Sequence, residues 1–236
     1  MDGVVEAAVA LEILLLPVWA GAVCVRPWPE GGGPRPSGAG ASAGAGRRLG
    51  AGTDAGAVAA RLVWTVGPVA LVAPVLAVLG AAGGGPSAAA VLRSQAVAGG
   101  FAVLVGGLAL LVQRLAGPRA AQCLAAVGGW TVLAAVVLAG PVVPLVAGPM
   151  KTALVRAVVA ANPLVAAEGE LGLAWLRADL TYRLTPLGES YGYALAGLAW
   201  WKTLLAHLFV GSGLAVFSIR RPTAPAGLAP TAPASG

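Results

Sequence analysis

Charge is scarce in this chain: of 236 residues, 10% are Asp, Glu, Lys or Arg, against about a quarter in a soluble domain. Because 58% of the residues are hydrophobic and fall in runs near the roughly 20 residues that cross a bilayer, disorder and a water-soluble core are both excluded. Histidine occurs once, at His207, and cysteine twice, at Cys24 and Cys123. Without a CxxC pair or an HExxH run, a protein-ligated zinc or haem site of the usual kinds has almost nothing to be made from, so neither metal ligands nor a cofactor is expected. Two cysteines inside separate apolar runs make no disulfide framework. The basic residues, nearly all arginine, give a net charge of +6. They stand singly at the ends of apolar runs rather than in a block with aromatic residues between them, which predicts contact with membrane lipid and no nucleic acid.

The apolar residues themselves predict an all-α, polytopic transmembrane bundle of about five spans plus short interfacial helices. The first run, Ala7 to Val25, follows the acidic Asp2 and Glu6 and stops at Arg26, which is unlike a signal peptide and like a membrane helix ended by a cytoplasmic charge. Residues 26–61 are rich in Gly, Pro, Ala and Arg and read as a flexible basic cytoplasmic loop. Residues 62–148 read as a three-span region: Leu62 to Ala82 with Pro68 and Pro74, Ala88 to Val112 with paired glycines, and Ala120 to Gly148, which crosses and then bends at PVVP. Residues 149–191 hold four basic and four acidic groups, a neutral segment expected on the outer face as short helices lying in or dipping into the interface. One such helix covers Thr152 to Ala161 and the other carries Leu173, Leu176, Leu180 and Leu184. Residues 192–219 form the last span, and 220–236 a disordered Pro/Ala tail.

The positive-inside bias then puts the amino terminus outside and Arg220-Arg221 inside, with five crossings; a four-crossing arrangement, with the first segment re-entrant and both ends cytoplasmic, is one alternative, and counting 152–167 as a span gives another. Arg93 alone falls on the wrong side.

Ionisable residues within the spans are the first functional suspects. Glu12 costs about 2.5 to 3.5 kcal/mol in hydrocarbon if it behaves like Asp, and so is expected to face other helices or water. His207 is expected to make a helix-to-helix hydrogen bond, with a proton or substrate role as the alternative. It stands five residues from Lys202, roughly 140° round a helix, so the two share no face. Lys202, beside Trp200 and Trp201, reads as an interfacial anchor. Glu12, His207 and Arg93 are the substrate-pathway candidates. Glu168 and Glu170, two apart, read as a solvated turn. Ser94, Ser212 and Ser218 lack a histidine in any recognisable catalytic setting, and GSG at 211–213 lacks the GxSxG frame, so no enzyme is expected.

From Asn162 to Pro222, about a quarter of the chain, the sequence resembles the carboxy-terminal part of ABC-2 type transporter permeases: Asn162-Pro163-Leu164, the Leu173 to Leu184 segment, the Trp200-Trp201 span, then Phe217 with Arg220-Arg221. The resemblance implies a pore-forming subunit of an exporter in a bacterial inner membrane, working as a homo- or hetero-oligomer with a separate ATP-binding-cassette ATPase. It makes Asn162, Pro163, Glu168 and Glu170 outer-gate candidates. Such permeases usually have six spans and a cytoplasmic coupling helix, and no acidic/Arg-Gly-Thr element of that kind occurs here. A non-transporting membrane anchor or assembly subunit is the rival reading.

Overall fold

The computed structural model describes residues 2–25, 55–139, 141–146, 148–172 and 199–219. They form seven helices: α1 (Asp2–Val25), α2 (Ala55–Ala82), α3 (Ala88–Ala116), α4 (Pro118–Ala139), α5 (Pro149–Ala161), α6 (Pro163–Leu171) and α7 (Trp200–Ile219). Among the described residues there is no strand. Five helices, α1 to α4 and α7, are long and apolar enough to cross a membrane. The 24 residues of α1 reach about 36 Å at roughly 1.5 Å each, longer than the hydrocarbon core of about 30 Å. This is an integral membrane protein, with large apolar side chains such as Phe209 (83% exposed) and Leu71 (75%) turned outward where lipid takes the place of water.

Local chemistry sets the helix ends. Ser87 caps α3 by accepting from the Ala90 N–H, an orphan donor that every helix start must satisfy. Between α3 and α4 the chain turns at Gly117, whose φ of 87° suits a residue without Cβ. Pro118 follows at the first position of α4, where its missing N–H does no harm. The loop expected over 26–61 is shorter at its carboxy end, since α2 begins at Ala55: alanine is the best helix former, and four of residues 55–60 are alanine. Residues 26–54, the Leu173 to Leu184 segment, Arg220-Arg221 and the tail lie outside the described residues.

Helix α3 is the centre. Buried residues make up 61% of its apolar window, against 22% to 39% in the other four spans, and α1, α2, α4, α6 and α7 all pack on it. Gly100 lies against Leu204 and His207, and further along Gly107 meets Gly211, so α7 runs parallel to α3. The Glu12–Gln95 bond (2.8 Å) and the Cys24 Sγ contact to the Gly106 carbonyl (3.8 Å) make α1 parallel to α3 as well. Trp130 donates to the Leu14 carbonyl (3.1 Å) while Gln122 lies against Gly21, so α4 runs the other way. Arg61 bonds Gln113 while Gly99 lies against Val69, so α2 runs as α4 does; three of the long helices point one way and two the other, and the start of α1 and the end of α7 lie at opposite ends of the bundle. Arg61, Arg114 and Arg119 gather at the second of these ends.

After α4 a short 3-10 turn, Val143–Leu145, leads into α5. The pair α5 and α6 is bent by 74° at Asn162. The tip of the bend lies against His207, which in turn packs on Phe101, the fourteenth of the 29 residues of α3. The far end of α6 returns to the amino-terminal end of α3, where Glu170 pairs with Arg93. The pair therefore enters to mid-height and goes back to the face it came from. Val155, Val159 and Val165 are buried there with Val136, Ala139 and Val143.

Candidate functional site

A helix interrupted at membrane depth must satisfy its freed backbone groups with protein, because lipid offers none. Here the accounting closes residue by residue. In a continuous helix the N–H groups of Leu164 and Val165 would donate to the carbonyls of Ala160 and Ala161. Pro163 has no N–H and disfavours a helical residue before it, so Asn162 takes an extended conformation (φ −89°, ψ 114°) and begins a new helix. Its Oδ1 accepts from Leu164 N (2.9 Å) and Val165 N (3.4 Å). The two abandoned carbonyls turn to α7: Thr203 Oγ1 donates to Ala160 O (2.9 Å), and His207 Nε2 lies 2.9 Å from Ala161 O. A carbonyl only accepts, so that nitrogen carries the hydrogen and Nδ1 is left as an acceptor. Asn162 Nδ2 completes the knot by donating to Leu133 O of α4 (2.8 Å).

All three polar side chains are buried: Asn162 is 2% exposed, Thr203 1% and His207 3%. The His207 ring rests on Phe101 with centroids 5.7 Å apart. Three helices are thus pinned at one level by side-chain bonds to backbone, each worth about 1 kcal/mol net but more to lose, since a buried orphan costs about 1 to 3 kcal/mol.

Two further pairs lie towards the amino-terminal end of α3. Gln95 Nε2 donates to Glu12 Oε2 across the α1–α3 seam. Arg93 Nη1 reaches Glu170 Oε2 at 3.2 Å, with side chains 52% and 19% exposed. An exposed pair contributes little, and Arg93→Ala should lower stability by about 0.5 kcal/mol, less at high salt. Unfolding titrations of the reconstituted protein at two ionic strengths check this; an effect above about 2 kcal/mol would mean the pair is desolvated.

The residues expected from sequence are therefore distributed as follows. Asn162, Pro163 and His207 meet at the break, Glu12 joins Gln95, and Arg93 joins Glu170. Glu168 and Glu170 stand on α6 rather than in a solvated turn, because the Asn-Pro pair that reads as an interruption is also a good start signal, a capping side chain followed by proline at the first helical position. Lys202 lies over Trp201, 5.5 Å from the ring centroid, on the exposed side of α7 and away from the break. Thr203 and Gln95 were not singled out by sequence. Thr203 is four residues before His207 and so on the same helix face, a signal available from spacing alone.

A shallow, open groove of about 350 Å³ runs between α2, α3 and α7, lined by apolar residues such as Val69, Ala73, Leu92 and Leu204, with Gln95 at its wall. The site as a whole offers hydrogen bonding. No family model matches the sequence, and comparison with curated proteins and with solved structures finds no match.

Proposed function

We propose that this integral membrane protein is a transport subunit, the permease of an ABC-type exporter in a bacterial inner membrane, driven by a separate ATPase. The observation that carries the reading is the helix pair broken at Asn162-Pro163, whose tip sits at mid-height between α3, α4 and α7. Interrupted helices at that depth are characteristic of transporters, where they form substrate sites and moving gates. The break falls in the stretch, Asn162 to Pro222, that resembles ABC-2 permeases. The sequence carries no Walker motif, so ATP hydrolysis would belong to a partner docked on the face that holds Arg61, Arg114 and Arg119.

The reading predicts that the tagged chain, purified in mild detergent, brings down a stoichiometric ATP-binding-cassette ATPase, identified by mass spectrometry, and that deletion abolishes an ATP-driven export. Purification without an ATPase and unchanged export would sink it. A second reading, a non-transporting anchor or assembly subunit, is favoured by the way Asn162 and Thr203 spend their polar atoms on backbone rather than on an open path. A stable complex with a non-ATPase partner would decide for it.

A further inference from the structure

Glu12 and Gln95 carry an unmet demand. They meet through the amide N–H of Gln95, which donates to Glu12 Oε2 at 2.8 Å. The other oxygen of each group, Glu12 Oε1 and Gln95 Oε1, is buried and has no partner among the described residues. Gln95 itself is 3% exposed. Both orphans are acceptors, and they belong to two side chains already joined at their other ends. An ionised carboxylate has no hydrogen to offer an amide oxygen, whereas a carboxylic acid has one. Exchanging the amide's oxygen and nitrogen would set an acceptor 2.8 Å from Glu12 Oε2, a contact that again only a protonated carboxyl can make.

We propose that Glu12 and Gln95 together bind one proton, which closes a two-bond ring of carboxylic acid and amide across the α1–α3 seam. The proton adds to a Glu12 oxygen, forming one O–H bond, and that O–H donates to Gln95 Oε1; release returns the proton to solvent and no other bond changes. The ligand is the proton itself, and the site is distinct from the knot at Asn162: Gln95 lies six residues, about 9 Å, before Phe101 along α3.

The surroundings leave the proton as the simplest occupant. Among the described residues, α1 brings Glu6 and Cys24, α2 Arg61, α3 Arg93 and Arg114, α4 Arg119 and Cys123, α6 Glu168 and Glu170, and α7 Lys202, which lies over Trp201, and His207, which is bonded to the Ala161 carbonyl at the break. Arg61, Arg114, Arg119, Cys24 and Cys123 belong to the opposite end of the bundle. Arg93 is two residues from Gln95, about 200° round the helix at about 100° per residue, and is held by Glu170. Intramembrane carboxyl groups that face the bundle interior are the usual makings of proton relays. Because Gln95 also lines the groove between α2, α3 and α7, a shift of α3 that admits water there would open the ring and free the proton. This holds whether or not an ATPase partner exists.

The test is infrared difference spectroscopy of the full chain in lipid nanodiscs, wild type against Glu12→Gln. The expected result is the carbonyl stretch of a protonated carboxylic acid at neutral pH that Glu12→Gln removes and that sodium ions leave unchanged. Gln95→Leu, which retains Glu12, should move the same band to the position of an acid without a hydrogen-bond partner; it keeps the test decisive if Glu12→Gln fails to fold. A carboxylate band alone at neutral pH, a band that stays put in Gln95→Leu, or loss of the acid band on adding sodium at fixed pH would each overturn the proposal, the last in favour of a metal cation.

Discussion

Gly211→Val is expected to separate α7 from α3 and to cost the fold about 3 kcal/mol or more, whereas Gly213→Val, two residues along the same helix, should be close to neutral. The two helices cross in parallel with backbone on backbone. A Cβ at Gly211 would stand 2.6 Å from the Val103 carbonyl oxygen and 2.7 Å from the Leu104 Cα, distances no side-chain rotation can relieve. Gly107 on the facing helix is just as tight, against the backbone of Gly211 itself. In a membrane this closeness matters more than in water: lipid is as apolar as the helix surface, so association rests on packing and on bonds between backbones that small residues let approach. At Gly213 an added Cβ meets nothing within 4 Å, and the exchange changes only local helix propensity. Reversible unfolding of both variants in mixed micelles, followed by helical circular dichroism, measures the difference. Equal stabilities for the two would show that the α3–α7 seam does not hold the bundle. A lost seam also removes the donors of Thr203 and His207 from the break, so Gly211→Val should loosen α5 and α6 together with α7.

What the sequence disclosed, and what it did not, follows from the range of each interaction. The five spans are long apolar runs, a property of composition over some 20 residues, and they appear in the structure nearly where the runs lie: Ala88 to Val112 becomes Ala88–Ala116, and the run begun at Ala120 becomes Pro118–Ala139. The latter stops short of Gly148 because Pro141 and Pro144 remove donors. The re-entrant pair was legible only in part. Asn162-Pro163 announced a break, but its depth depends on contacts 29, 43 and 46 residues away in sequence. The partner of Glu12 is 83 residues distant, and a neutral amide within a span has little sequence signal when attention goes to charge. His207 is the instructive case: Lys202, five residues before it, lies on another face, while Thr203, four before it, shares its face and its task.

Asn162→Ala is expected to release the re-entrant pair while leaving the five spans folded. The substitution removes the acceptor that serves Leu164 N and Val165 N and the donor that serves Leu133 O. Loss of a helix cap costs about 1 kcal/mol, and each buried group left without a partner about 1 to 3 kcal/mol more, so local opening should become easier by roughly 3 kcal/mol, about 100-fold in its equilibrium constant. Hydrogen–deuterium exchange of the protein in nanodiscs reads this directly: amides of residues 164–171 should exchange about 100-fold faster, while those of α3 stay protected. Asn162→Ser keeps a capping oxygen and gives up the bond to α4, and should fall between. Thr203→Val strands only the Ala160 carbonyl and should cost about 1 kcal/mol. If α6 exchanges no faster in Asn162→Ala, the break is held by the apolar cluster of Val136, Val155 and Val159 rather than by its polar knot. If instead the whole bundle loosens, the knot is structural for the fold and α5–α6 is no independent gate. The expected pattern, a soft pair on a firm frame, is what a transporter needs at the point where its pathway opens, because elements that move are drawn from the low-stability end of the structure.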